Sequence, residues 1–229
     1  MHKTYNPGIL RLISVATKYK MFYFMASIIM LLILSAVMEE YKYGYLVINT
    51  TSTIVFVLGI YAMGRNKKNV IILILLGMPW FLSEWVFTKS SETIFASVLF
   101  FLFITGTIID NILHSEEVST DTLYEAVCVF LLLGILWAII YGFLEYITPG
   151  IIFVNNNAEV LNPLTSTEKI YYSYTTLTSL GYGDITSLHP VGRIVSVLEA
   201  ITGQLFVAFF IARLVAIYTA NALRRRSDS

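Results

Sequence analysis

Long apolar runs separated by short polar gaps organise the chain. A membrane-crossing helix needs about 20 mostly apolar residues, because the hydrocarbon layer is roughly 30 Å thick. Six runs meet that need. Residues 21–38 and 43–64 carry no charge. Residues 69–88 carry Glu84 near their end, and residues 93–109 extend as far as Leu113. Residues 126–144 lie inside a longer helix over about 122–147, and residues 190–218 contain Glu199 and, near their end, Arg213. The runs are apolar on every face, so length and missing charge carry the assignment rather than periodicity. The first run lacks a small-residue cleavage site and reads as a retained span.

The polar gaps give an orientation. Lys3, Arg11, Lys18 and Lys20 precede the first run; Arg65, Lys67 and Lys68 follow the second; Arg213, Arg224, Arg225 and Arg226 end the sixth. With six crossings these fall on one side, and Lys42, Lys89, Lys169 and Arg193 on the other. Positive charge stays inside, so both termini are expected in the cytoplasm and the protein in the cell membrane. The acidic gap 110–121 runs against the pattern, but acids weigh little in this rule. Four parts follow: a cytoplasmic segment 1–20, a peripheral four-helix bundle 21–113, a module 122–218 and a short cytoplasmic tail 219–229. Residues 9–20 suit either an amphipathic surface helix or a disordered tail.

Composition agrees with a membrane protein. Of 229 residues, 57% are apolar and 13% charged, with 15 Lys+Arg against 15 Asp+Glu. Soluble chains average about 25% charged. Zero net charge gives no case for a nucleic-acid partner. A single cysteine, Cys128, rules out an intrachain disulfide framework.

The chemistry lies between the fifth and sixth runs. Thr165-x-x-Glu168 has capping-box spacing, and Thr122-x-x-Glu125 repeats it before the fifth run. A helix over 168–178 is about 16 Å long at 1.5 Å per residue, half a bilayer. Ser179-Leu-Gly-Tyr-Gly183 follows, too short and glycine-rich for a helix, and Pro190 then opens the sixth run. The outline is a re-entrant half-helix with an extended return. Non-helical backbone at membrane depth survives only inside protein or along a watery path. Gly181 and Gly183 permit the positive φ that aligned carbonyls demand. The Ser179 hydroxyl supplies a further oxygen. Tyr182 is expected to brace against Tyr171 and Tyr172. The negative end of the half-helix dipole favours a cation.

Thr176-Leu-Thr-Ser-Leu-Gly-Tyr-Gly-Asp184 resembles the signature Thr-x-Thr-Thr-Val-Gly-Tyr-Gly-Asp of tetrameric potassium channels, with Ser179 for Thr and Leu180 for Val. The resemblance covers about 122–218. Together with the six apolar runs it implies an all-α membrane fold of six transmembrane helices, with a re-entrant pore helix and selectivity-filter loop between helices five and six. It implies potassium sites at Ser179, Leu180, Gly181 and Tyr182, closed by Gly183. Thr176 and Thr178 then support the filter, and Asp184 sits at the outer mouth. Gly203 matches the glycine at which inner helices bend. One loop per chain implies four chains around an axis, a homotetramer. Permeant K+ and membrane lipids are the implied partners, with no cofactor. The sequence names no regulatory subunit.

Voltage sensors of that family carry regularly spaced arginines on the fourth span, and here 93–109 has no Lys or Arg. Steep voltage gating is therefore not expected. Glu199 is an acid well inside a span, hence a functional candidate, as a hydrogen-bond partner of the pore helix or as a proton sensor. His114, Glu116, Glu117 and Asp121 do not match EF-hand spacing and read as a solvated loop. Gly134 and Gly142 read as close-packing sites, and Cys128 as packing. Trp80, Trp85 and Trp137 suit interface or packing positions, and the Asn49 sequon lies at a span end. Neither paired broken spans of a transporter nor an acid/base cluster around His2, His114 or His189 is present, so a passive channel is expected, selective for potassium or weakly cation-selective, and not an enzyme.

Overall fold

A computed structural model of the chain describes residues 19–64, 67–85, 91–115, 119–149, 153–154 and 164–227. Among them lie α1 (Lys20–Met38), α2 (Gly44–Ala62), α3 (Lys67–Trp85), α4 (Ser91–Leu113), α5 (Thr120–Ile147), β1 (Phe153–Val154), α6 (Ser166–Leu177), β2 (Ile185–Thr186) and α7 (Pro190–Ser227). The apolar runs predict each long helix to within a few residues at its start. Uninterrupted apolar sequence leaves backbone polar groups no partner but one another, and a helix satisfies them within the segment.

Among the described residues, five helices are long and apolar enough to cross a membrane: α1, α2, Ile94–Leu113 of α4, α5, and Pro190–Thr219 of α7. Helix α3 opens on Lys67 and Lys68 and contains Pro79, which gives up a backbone bond. Residues 86–88 of the expected third run lie outside the described residues.

Helix α5 is the hub, packed against α1, α4, α6 and α7, while α3 packs on α2 and α4. Fully buried Phe24, Ile28, Val129, Leu132 and Leu177 run through one continuous core. Trp80 is a packing residue, stacked on Phe100 at 5.6 Å with the rings 12° apart. Lys20 Nζ donates to the Ala62 carbonyl at 2.7 Å and closes the α1–α2 hairpin.

Three expectations change. The cap of α5 is Ser119, not Thr122. Ser119 Oγ accepts the Thr122 N–H at 3.2 Å, and Thr122 Oγ1 accepts the Ser119 N–H at 3.4 Å. The reciprocal pair starts the helix at Thr120 and makes Thr122 its third residue. Second, α7 runs to Ser227, so most of the expected tail is helix. The sequence Ala-Asn-Ala-Leu-Arg-Arg-Arg favours helix and holds no stop. Third, the polar gap after α5 contains a strand pairing, Phe153 opposite Thr186 and Val154 opposite Ile185. Residues 9–18 of the expected surface helix lie outside the described residues.

An ion pair ties the end of α5 to the start of α6. Lys169 Nζ lies 2.7 Å from Glu145 Oε2, with the Glu145 side chain 5% exposed. The Leu164 N–H donates to Glu145 Oε1 at 3.1 Å, and Lys169 Nζ donates to the Leu164 carbonyl. Removing one partner of a buried pair strands the other charge, at about 3–5 kcal/mol. Glu145→Ala is therefore expected to lower stability by about that much, measured by thermal unfolding in detergent. An unchanged midpoint would show the pair to be solvated.

Candidate functional site

Helix α6 begins where its sequence provides a cap. Thr165 Oγ1 accepts the Glu168 N–H at 3.2 Å and Glu168 Oε2 accepts the Thr165 N–H at 2.8 Å. The spacing Thr165-x-x-Glu168 predicts this box, and the helix then covers Ser166–Leu177 instead of 168–178. Thr178 ends it, with its hydroxyl donating to the Tyr174 carbonyl at 2.7 Å.

The backbone then alternates. Ser179, Gly181 and Gly183 have φ of 58°, 51° and 81°, and Ser179 is the one non-glycine among the described residues with positive φ. Glycine accepts this conformation without a Cβ penalty. Serine does not, and its left-handed turn was not legible from sequence. The N–H groups turn back to α6: Ser179 N donates to the Thr176 carbonyl at 2.9 Å, and Leu180 N and Gly181 N both donate to Thr175 O at 2.8 and 3.1 Å. In a trans peptide the carbonyl points opposite to the N–H across the same bond. The carbonyls of Thr178, Ser179 and Leu180 therefore point away from α6.

The two ends of this segment are held differently. At one end the Tyr182 ring lies parallel to Tyr171, 6.4 Å between centroids and 2° between planes. Tyr171 donates its hydroxyl to Asp184 Oδ2 at 2.8 Å, and the Ile185 N–H donates to Oδ1 at 3.0 Å. The tyrosine hydroxyl, and then the backbone donors, hold the Asp184 carboxyl below its ordinary range, and the same bond raises Tyr171. Tyr172 does not join Tyr182. Its hydroxyl meets Ser196 Oγ at 2.6 Å.

At the other end Gln204 Nε2 donates to Ser179 Oγ at 3.1 Å. Beside it Gly203 passes the end of α6 so closely that an added Cβ would stand 2.0 Å from the Leu177 carbonyl oxygen. Helix α7 is unbroken there, so in this conformation the glycine is a point of close approach. Gly134 does the same on α5, where a Cβ would lie 2.4 Å from the Tyr174 ring. Tyr174 donates to the Leu131 carbonyl at 2.6 Å. Gly142 meets nothing closer than Lys169 at 3.8 Å.

Glu199 is fully buried behind α6, within hydrogen-bonding distance of Tyr141 and Ser173. Sequence reading missed Gln204, Ser173, Ser196 and Tyr141. The signal available was a polar side chain inside or facing an apolar run. Other candidates fall away from this place. His114 pairs with Asp110 at 3.2 Å on the surface, Glu116 and Glu117 lie outside the described residues, and among the described residues no acid, histidine or cysteine group could hold a metal ion. Cys128 is buried and free. Arg213 donates to the Leu113 and Ser115 carbonyls at 2.7 and 2.9 Å, joining α7 to the end of α4.

Residues 129–220, from α5 to the last turns of α7, match the family model described as an ion channel. No curated protein and no solved structure matches the chain. The family match and the five apolar helices support a multi-pass membrane protein with an ion-channel domain over this stretch.

Two outcomes are expected here. Gly203→Ala forces its methyl onto a backbone carbonyl, and overpacking of this kind costs about 1–3 kcal/mol, read as a lower unfolding midpoint. Tyr171→Phe removes the bond that holds Asp184 acidic. The stability contributed by a depressed carboxyl is present above its unfolded value and lost as pH falls through the folded one. The variant should therefore move the Asp184 titration up toward the ordinary carboxylate range, followed by carboxyl carbon chemical shifts.

Proposed function

We propose that the chain is the subunit of a passive, potassium-selective channel of four identical copies. The observation that carries this reading is the alternating φ over Ser179–Gly183, with the carbonyls of Thr178, Ser179 and Leu180 turned off α6. A cation that sheds its water needs oxygens in that register, and rings of backbone carbonyls supply them in potassium filters. The ions then sit between carbonyls of Ser179, Leu180, Gly181 and Tyr182, with the Ser179 hydroxyl at the inner end. Asp184 stands at the outer mouth, held there by Tyr171.

Exposure in the single chain supports assembly around an axis. Leu180 is 55% and Tyr182 68% exposed, and α7 carries bare Ile194, Val197, Leu198, Ile201 and Leu205. One α6-and-loop unit cannot surround an ion, whereas cyclic copies of it can. In such an assembly 122–218 is the pore domain and 21–113 the peripheral bundle.

With six crossings both termini lie on one side, and the Lys and Arg residues flanking the runs support the cytoplasmic side of the cell membrane. The sixth is α3, despite its charged ends. It runs antiparallel to α4: Asn69 shares a groove with Asp110, and Gly77 lies against Phe100. Nineteen helical residues span about 28 Å, enough for the hydrocarbon layer. Helix α4 holds no Lys or Arg, so it lacks the gating charges of an arginine-rich sensor.

Purified protein in a planar bilayer, with potassium on one side and sodium on the other, tests the reading. The reversal potential is expected close to the potassium value, with little voltage dependence of opening. Permeability near parity would make this a weakly selective cation channel instead. Gly183→Ala should abolish selective current. Within its own chain a Cβ there meets no neighbour within 4 Å, and alanine is forced into left-handed backbone, at about 1–2 kcal/mol in each copy.

A further inference from the structure

The contacts around Glu199 outnumber the hydrogens its neighbours can supply. Ser173 Oγ lies 2.7 Å from the Gly134 carbonyl oxygen. A carbonyl only accepts, so the one hydroxyl hydrogen of Ser173 is committed there. The same Ser173 oxygen lies 2.5 Å from Glu199 Oε1. That second contact needs a hydrogen of its own, and the carboxyl is the partner able to bring it. The other carboxyl oxygen is already supplied. Ser196 Oγ donates to the Gly192 carbonyl at 2.8 Å and receives Tyr172 at 2.6 Å. Tyr141 is 2.6 Å from Glu199 Oε2 and 3.3 Å from Ser196 Oγ, so its hydrogen goes to Glu199. The groups facing the carboxyl are therefore Tyr141 from α5, Tyr172 and Ser173 from α6 and Ser196 from α7. With one proton on Glu199 every donor and acceptor in the cluster is matched.

We infer that Glu199 works as a neutral carboxylic acid that donates to Ser173 and accepts from Tyr141, and so positions α6, and through it the Ser179–Gly183 segment, between α5 and α7. The route is short. Ser173 stands two residues before Thr175, whose carbonyl takes the N–H groups of Leu180 and Gly181. A shift of α6 at Ser173 moves those anchors. An ionised Glu199 would bring two lone-pair oxygens face to face across the 2.5 Å contact, and buried like charge density of that kind is strongly unfavourable.

The inference rests on the channel reading only where current is the readout, and the spectroscopic arm is independent of it. Infrared difference spectra of wild type against Glu199→Gln are expected to show the carbonyl stretch of a protonated carboxylic acid, present across neutral pH and absent from the variant. A carboxylate band in its place would overturn the inference. Glutamine can donate to Ser173 and accept from Tyr141, so Glu199→Gln should keep potassium current and selectivity within about twofold of wild type. Glu199→Ala leaves buried hydroxyls unmatched and should lower selective current by about tenfold or more. Equal currents from the alanine and glutamine variants would overturn the positioning role. Should Glu199→Ala fail to fold, Ser173→Ala decides. It removes the acceptor of the carboxyl hydrogen, so the acid band should move to higher frequency, and an unmoved band would refute the assignment. Wild-type protein without potassium current, but with the acid band, would sink the proposed function and leave this inference standing.

Discussion

A backbone that alternates hand cannot support itself. The segment Ser179–Gly183 contains three positive φ values, and it forms neither helix nor strand. The N–H groups of Ser179, Leu180 and Gly181 find acceptors because α6 ends against them. The last carbonyls of a helix have no partner inside the helix, and here Thr175 O takes two donors from the segment and Thr176 O a third. Helix end and segment thus satisfy one another. Glycine removes the steric cost at two of the positions. At Ser179 the cost remains, and the Gln204 amide on its hydroxyl is the contact that offsets it.

The rest of the molecule holds α6 in place. Helix α5 supplies Gly134, Leu131 and Tyr141 to one side of it, and α7 supplies Gly203, Ser196 and Glu199 to the other. The Glu145–Lys169 pair fixes its start. The peripheral helices are joined to the same frame: Cys128 lies against the Met21 carbonyl at 3.8 Å, Thr167 reaches the Ser35 carbonyl at 3.5 Å, and Arg213 grips the end of α4. A displacement of α1 or α4 therefore reaches α5, α6 or α7 directly, without passing through solvent.

Much of this was legible in order along the chain. Apolar length located the long helices, and Thr165-x-x-Glu168 located the start of α6. Two glycines located the turn in the backbone. What was not legible depends on distance or on competition. Ser119 and Thr122 can both cap a helix, and the reciprocal pair they form together decides the start in favour of the earlier one. Strands of two residues carry no period to read. Lys169 reads as an orientation charge until the fold brings Glu145 to it. Gly203 has the spacing of a bend, and only the packed Leu177 carbonyl reveals it as a close contact.

One regularity connects the legible and illegible parts. Helix α6, Ser-Thr-Glu-Lys-Ile-Tyr-Tyr-Ser-Tyr-Thr-Thr-Leu, is polar along most of its length, yet its middle is packed among apolar helices. A hydroxyl buried without a partner costs about 1–3 kcal/mol, so Tyr172, Ser173 and Tyr174 together demand compensation on the scale of a whole domain's net stability. The compensation is drawn from the few polar side chains that interrupt the apolar runs, Tyr141, Ser196 and Glu199, and from carbonyls that glycine or a helical turn leaves accessible, at Gly134 and Leu131. Tyr141 on α5 and Ser196 and Glu199 on α7 therefore mark the faces that these two apolar helices turn toward α6.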